Sequence, residues 1–476
     1  MTKTQEHTVG RATEVLGRFA ASLRYEDLSA AAVTRARQLI FDTVGLALGG
    51  RRTSLGRALA AFAAARLPGD EATIIGSGTA SIEGAAFANA ATAKIVGMED
   101  TNRAYGHVAV EVVPAALAAA ESARRTGRAV MAAVVAGYEV FGRVGRQVRQ
   151  AHLARGVDIK GTVGALAAAA AAGAALGLDG DRVGHALAIA ASLASGLETY
   201  VHDPEESHTE HLISGFAARH GVLAARLAGS GFRGPKGAID GPHGFASAFG
   251  DGFDDGALGE LGARFEIESA GVKPHAGCRH VHPAVDAVLE ARRQHAVDPD
   301  RVVRIDVGTY RHAVAAPFRT TLAPDSAAAA AYSLPVAVAV ALVFGGFSPE
   351  DIARYTDGRV RALLPKLRVR EDPELQAVHP HKNGCVVRVT LDDGRTVEGR
   401  VDYARGEPEH MLTDQEFESK FRALAGDLLP APAVDRWIAA LWALDTIIDL
   451  SVVVAPRLHT TRFSEHDRTT TKEVRE

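Results

Sequence analysis

Between Lys273 and His282 the chain reads KPHAGCRHVH, which gathers a lysine, an arginine, three histidines and one of only two cysteines into ten residues. Groups of such different proton affinity on one loop are what proton-transfer chemistry needs. Pro274 and Gly277 interrupt regular structure there. Pro283 then suits the first turn of a helix whose apolar face runs Val285, Val288 and Leu289. In an extended loop Cys278, His280 and His282 would point the same way, although a zinc site would need a fourth ligand. Lys273 reads either as an ordinary surface lysine or as a contact for a substrate carboxylate.

Three further segments carry chemistry-bearing residues. Met98–His107 (MEDTNRAYGH) follows an alanine-rich helix and reads either as a polar loop or as a general acid/base site, with His107 oriented by Glu99 or Asp100. In GVDIKGTVG (156–164), Gly161 and Thr162 open a helix and offer free backbone N–H groups to an anion, with Lys160 adding charge; the plainer alternative is an N-cap by Thr162. In HDPEESHTEH (202–211), His202, Asp203, His208 and His211 are conceivable metal ligands, but their spacing matches no compact motif, and a polar loop lining a cleft is the favoured reading. No P-loop, no GxSxG elbow and no GxGxxG after a strand is found, which argues against nucleotide-driven, α/β-hydrolase and dinucleotide chemistry.

The elements that must hold these segments are mostly helical. The 476 residues are 47% hydrophobic but only 6% aromatic, with alanine dominating the apolar share, and alanine packs helices closely at little entropy cost. Helices are predicted at 12–22, 30–49, 55–65, 82–97, 109–125, 128–149, 161–175, 181–195 and 210–229, and 229–256 reads as loop with a short helix. Val302–Tyr310 alternates, with Val303, Ile305 and Val307 on one face, as a strand does. Val386–Val401 reads as a hairpin turning at Asp393-Gly394. Helices over Ala327–Val343 and Pro349–Tyr355 lie between them, and a capping box at Thr413 and Glu416 restarts a helical pattern. This predicts a mostly α protein: a large all-α domain formed by 1–268 and 405–476, and a smaller α+β lid domain over 269–404. The first 8–10 residues and the last dozen read as loose ends. A net charge of −4 gives no basic stripe for nucleic acid. The polar N-terminal residues and two distant cysteines point to a cytoplasmic protein with no signal peptide. The alanine-rich runs near 164–176 and 327–343 read as core helices, so no membrane association is expected.

Nine segments in order resemble the MmgE/PrpD family, nearly end to end: FDTVGLALGG (41–50), ANAATAKIVGMEDT (88–101), GYEVFGRVGR (137–146), RGVDIKGTVGALAAAAAAGAALGL (155–178), GFAARHGVLAARLAGSGFRGP (215–235), DGPHGFASAF (240–249), the Lys273 loop, YSLPVAVAVAL (332–342) and RGEPEHMLTDQEFESKF (405–421). The resemblance implies an all-α domain with an α+β lid, a homodimer, an active site between the domains, and no metal or organic cofactor. It implies proton abstraction beside a carboxylate of a small organic acid, followed by loss of water, loss of CO2 or reprotonation.

The departures bear on substrate. Asp158 stands where the pattern has histidine, Lys160 where it has threonine, Glu210 where it has lysine, His275 and Val336 where it has tyrosine, and Ala276 where it has proline. Retained are Asp100, Thr101, His107, Thr162, Lys273, Cys278, Arg279 and His282. The expected catalytic set is His107, Asp158, Lys273, Glu210, His211 and Cys278. Asp100, Thr101, Lys160, Thr162, His275, Arg279 and His280 are expected to bind substrate. Lys160 and His211 offer local compensation, but a pocket that trades a cation for a carboxylate repels polyanions, so a tricarboxylate is disfavoured against an acid with fewer carboxylates, an amine-bearing acid or a neutral metabolite. A lyase is the leading reading. An epimerase, or a binding protein that has lost catalysis, are the alternatives.

Overall fold

The computed structural model describes residues 10–202 and 207–454; the expected loose ends, and Asp203, lie outside the described residues. Helices α1 (Arg11–Ser22), α2 (Ala30–Arg51), α3 (Ser54–Arg66), α4 (Ile82–Ile95), α5 (Ala109–Ser122), α6 (Gly127–Arg155), α7 (Ile159–Leu176), α8 (Gly180–Leu193) and α9 (Thr209–Gly229) follow the predicted pattern. Ser29 caps α2 through Ala32 N–H, and Gly177 closes α7 in the left-handed conformation. Helix α7 is the centre, packed against α5, α6, α8 and α9. Its alanines let α9 approach so closely that a Cβ on Gly221 would lie 2.5 Å from the Ala168 Cβ. Helix α7 is long and apolar enough to cross a membrane by composition alone, but 89% of it is buried inside the protein.

The second part holds a four-stranded sheet in the order Leu367–Glu371, Val302–Thr309, Cys385–Leu391, Thr396–Val401. The first pair is parallel and the others antiparallel. Helix His282–His295 packs on the last two strands. Leu367–Glu371 was not predicted, since LRVRE has too few apolar residues to stand out. A register shift between Val302 and Arg304 turns Val303 out to solvent, so Val302 takes the buried place the simple alternation gave to Val303. The hairpin turn runs through Asp392, Asp393 and Gly394, with Gly394 at φ 84°, one residue longer than a two-residue turn. The helix predicted over 327–343 breaks into Ala327–Ala330 and Leu334–Phe344, because Ser333 caps a new start with Pro335 in its first turn.

Two seams join the parts. Asp100–Thr101 pairs antiparallel with Gly271–Val272. Helix Asp414–Ala425, capped by the Thr413/Glu416 box, returns the chain to α2, where Phe421 sits 5.0 Å from Phe41 by ring centroid.

Candidate active site

A cleft of about 720 Å³ opens where the C-terminus of α4, the 97–107 loop, the start of α7, the start of α9 and the Lys273 loop converge. At its inner end a buried carboxylate, Glu99, bridges two buried lysines: Lys94 Nζ at 2.8 Å and Lys273 Nζ at 3.0 Å from the same oxygen. Burial alone would raise the Glu99 pKa, but Lys273 and Lys94 overcome it and hold the carboxylate well below its usual range. Lys273 titrates below its ordinary value because burial outweighs the help of Glu99.

The network continues along the wall. Glu210 lies 2.8 Å from Lys94 and 3.8 Å from Lys160, and accepts from the Tyr332 hydroxyl at 3.3 Å. Lys160 pairs with Asp158 at 3.1 Å, and the Tyr200 hydroxyl donates to Asp158 at 2.9 Å. Despite their burial, Lys94 and Lys160 are held charged by Glu210 and by Glu99 and Asp158 respectively, and the two lysines pull Glu210 down in turn.

His107 Nδ1 lies 2.5 Å from the Asp100 carbonyl oxygen and 3.6 Å from Glu99 Oε1. A carbonyl oxygen only accepts, so Nδ1 carries the proton and Nε2 keeps its lone pair. Burial and then Lys273 push the His107 pKa well below its ordinary value, so the ring is neutral despite Glu99. A neutral imidazole on a cleft wall, beside a buried ammonium, can take a proton and stabilise the charge that develops.

Of the other residues singled out in the sequence, Cys278, Arg279, His280 and His211 also line the cleft. Arg279 is held by Glu407 at 2.6 Å, and His280 Nδ1 meets the Tyr310 hydroxyl at 2.7 Å. Burial lowers the His211 pKa to about 4. Of the residues expected to act on or bind substrate, four lie off the cleft wall. Asp100 is 1% exposed, caps α5 through the N–H groups of Val108 and Ala109, and accepts from the Tyr138 hydroxyl at 2.7 Å; burial raises its pKa to about 7. Thr101 is buried in the two-residue ladder with Gly271. Thr162 bonds His152 Nε2 at 2.8 Å. His275 turns inward to Asp286 at 2.8 Å.

Two local expectations therefore change. Helix α7 begins at Ile159, not at Gly161. Asp158 is the N-cap, accepting from Lys160 N–H at 2.8 Å, and Thr162 N–H already donates to the Asp158 carbonyl. Thr162 N–H is spent inside the helix, and the Asp158 carboxylate takes the N–H of Lys160 at its start, so the anion site drawn at Gly161-Thr162 does not form there. The Lys273 loop is not extended: Gly277 has φ 84° and Arg279–Val281 forms a 3₁₀ turn, so successive side chains rotate and His282 is buried against Arg279. Among the described residues, no group of three His, Cys, Asp or Glu is placed to hold a metal ion.

Sequence reasoning missed Lys94, Tyr332, Arg149 and Arg319, all on the cleft wall. Lys94 carried a signal: it is a lone charge in the apolar run ANAATAKIVG, and a lysine at the buried end of such a helix needs a partner. Tyr332 and the two arginines carried none, because folding alone brings them to the cleft.

The model of the MmgE/PrpD N-terminal domain matches residues 14–256, and that of the C-terminal domain matches residues 275–446. The chain belongs to the MmgE/PrpD family. Among curated proteins it is similar to cis-aconitate decarboxylase of Aspergillus terreus, 25% identical over 462 residues that cover 91% of this chain and 93% of the relative. It is 27% identical to human cis-aconitate decarboxylase over 454 residues, 90% of this chain and 91% of that one. A cis-aconitate decarboxylase-like protein of Aspergillus oryzae is 26% identical over 485 residues, 96% and 99% of the two chains. MmgE/PrpD membership and these relatives support an enzyme of the dehydratase or decarboxylase lyase type.

Proposed function

We propose that this MmgE/PrpD protein forms an enolate-like carbanion next to a carboxylate or carbonyl group of a small organic acid, either by proton abstraction followed by loss of water or by loss of CO2 followed by protonation. The observation that carries this reading is the His107 geometry: Nδ1–H committed to a carbonyl, Nε2 bare, and the ring on the wall of the cleft that Lys273 also lines.

In the dehydration branch Nε2 takes the proton from the carbon beside the carboxylate. The imidazolium so formed lies 3.6 Å from the Glu99 carboxylate, which stabilises it. The Lys273 ammonium stabilises the negative charge delocalised onto the substrate carboxylate. The β-hydroxyl then leaves as water with a proton from a donor on the wall. Tyr332 is one such donor, since burial keeps its phenol protonated; Cys278, on the same wall, is the other. In the decarboxylation branch the carbanion arises as CO2 departs, and a donor protonates it.

The inner wall argues for a single carboxylate at the reacting end. Glu99, Glu210 and Asp158 already neutralise Lys94, Lys160 and Lys273. Cis-aconitate, the compound the relatives are named for, brings three carboxylates, and a wall of three lysines balanced by three carboxylates has no surplus positive charge to offset all of them.

The test is incubation of the pure protein in D2O with 2-methylcitrate, cis-aconitate, iminodisuccinate and simpler hydroxy and amino acids, followed by NMR. Deuterium uptake or a new unsaturated or decarboxylated product, abolished in His107→Gln, supports the reading. Unchanged spectra across the panel, or full activity in His107→Gln, refute it for those acids.

A further inference from the structure

The cleft continues beyond the reacting end, past Arg149 on α6 to His312, Phe318 and Arg319 on the α+β side. These two arginines differ from the other cations of the wall. Lys94, Lys160 and Lys273 each hold a carboxylate within about 3 Å, and Arg279 holds Glu407. Among the described residues, no carboxylate forms an ion pair with Arg149 or Arg319. Arg319 gives one N–H to the His312 carbonyl, while its Nε is buried without a hydrogen-bond partner. Both guanidinium groups act on the same neighbours, His280, His312 and Glu198, which places them at one end of the cleft. Glu198 lies within the field of both, and it is half-buried. His280 and His312 are neutral: burial pushes both down, His312 to about 4, so they offer hydrogen bonds without adding charge.

We propose that Arg149 and Arg319 form a second anion subsite at the outer end of the cleft, which binds the far carboxylate or phosphate of an elongated substrate whose near carboxylate lies at His107 and Lys273. This rests on the proposed reaction for the identity of the near end. It adds the substrate class: a chain with two anionic ends, the second several bonds from the reacting carbon. The arginine fork suits both carboxylate and phosphate. A cleft of about 720 Å³ is ample for such a chain.

Binding tests this separately from turnover. Calorimetric titration would compare glutarate, adipate and suberate with pentanoate, hexanoate and octanoate, and 6-phosphonohexanoate with adipate. At one chain length the diacid should bind about tenfold or more tightly than its monoacid, as hydrogen bonds to a charged group allow. That advantage should vanish in Arg149→Met and in Arg319→Met, while monoacid affinity stays at the wild-type value and shows that the variants are folded. Preference for the phosphonate over adipate would identify a phosphate ester as the far group, and the reverse a carboxylate. No diacid advantage at any length, or an advantage that survives in both variants, overturns the proposal. Should a variant fail to fold, the wild-type comparison at 50 and 500 mM salt decides alone: a tenfold advantage that shrinks with salt supports the subsite, and equal binding of diacids and monoacids at 50 mM overturns it. Failure of the lyase reading would show instead as absent deuterium uptake, with the diacid advantage intact.

Discussion

The inner and outer ends of the cleft both carry cations, but in opposite conditions. Inside, three buried lysines and three carboxylates alternate from Lys273 through Glu99, Lys94, Glu210 and Lys160 to Asp158, so each charge is balanced by the protein itself. Outside, Arg149 and Arg319 stand half-buried without an ion-pair partner among the described residues. A buried cation without a partner is costly, so the inner end had to be neutralised before any substrate arrived. The outer end keeps contact with water, and its charge can wait for a ligand. The same residue class thus serves stability in one place and recognition in the other.

The largest way to break this comparison is Glu99→Ala. It leaves Lys94 and Lys273 buried without their shared partner and should cost about 3–5 kcal/mol in urea unfolding, whereas Arg319→Met should change stability by at most about 1 kcal/mol. Equal effects would show that the two ends do not differ as described. Next, His107→Gln should lower turnover or deuterium exchange by about 10²–10⁴-fold without shifting the unfolding midpoint. The pH profile sharpens the assignment. A general base works only unprotonated, so activity falls as pH drops through its pKa. Because burial and Lys273 hold His107 well below 6.5, kcat/KM should stay level through pH 6.5 and fall only below it. A midpoint at or above 6.5 would point to another base. A smaller effect is expected for Glu210→Gln. Freeing Lys94 and Lys160 from one carboxylate should raise the affinity of the inner end for citrate about tenfold by calorimetry, and no gain would mean that those lysines do not reach the ligand.

Much of this was legible in the sequence, for definable reasons. The nine long helices and the hairpin follow from periodicity and turn residues, which are local. His107 and Lys273 stood out because ionisable residues crowd around them. For His107 the sequence offered Glu99 and Asp100, which both lie beside it, but it offered no partner for Lys273. Glu99 and Asp100 are adjacent, and only the ladder to Gly271–Val272 decides that Asp100 turns inward to cap α5 while Glu99 meets the lysines. Asp158 and Glu210 were expected to repel substrate charge. Asp158 is offset by Lys160, two residues on at the start of the same helix, a local compensation the sequence allowed, whereas Glu210 pairs with Lys94 on another helix. His275 was misplaced because a glycine in the left-handed conformation, two residues on, reshapes the loop. Arg149 and Arg319 are 170 positions apart, and nothing local relates them.

One contact made late in the chain has a further consequence. Lys420 Nζ donates to the Met98 and Lys273 carbonyls at 2.8 and 2.9 Å and pairs with Asp42 at 2.7 Å. It therefore fastens, from below, the two backbone segments that present Glu99 and Lys273. During synthesis at roughly 5–20 residues per second, Lys420 follows Lys273, 147 positions earlier, by about 7–30 s. Through that interval the nascent chain holds every residue of the inner network but lacks the cross-tie that sets their spacing. Ribosome-bound chains ending before 420 should therefore be folded in their helical part and catalytically silent. Maturation of the site is in this sense a timed event, completed only when Lys420 emerges, 147 positions after Lys273.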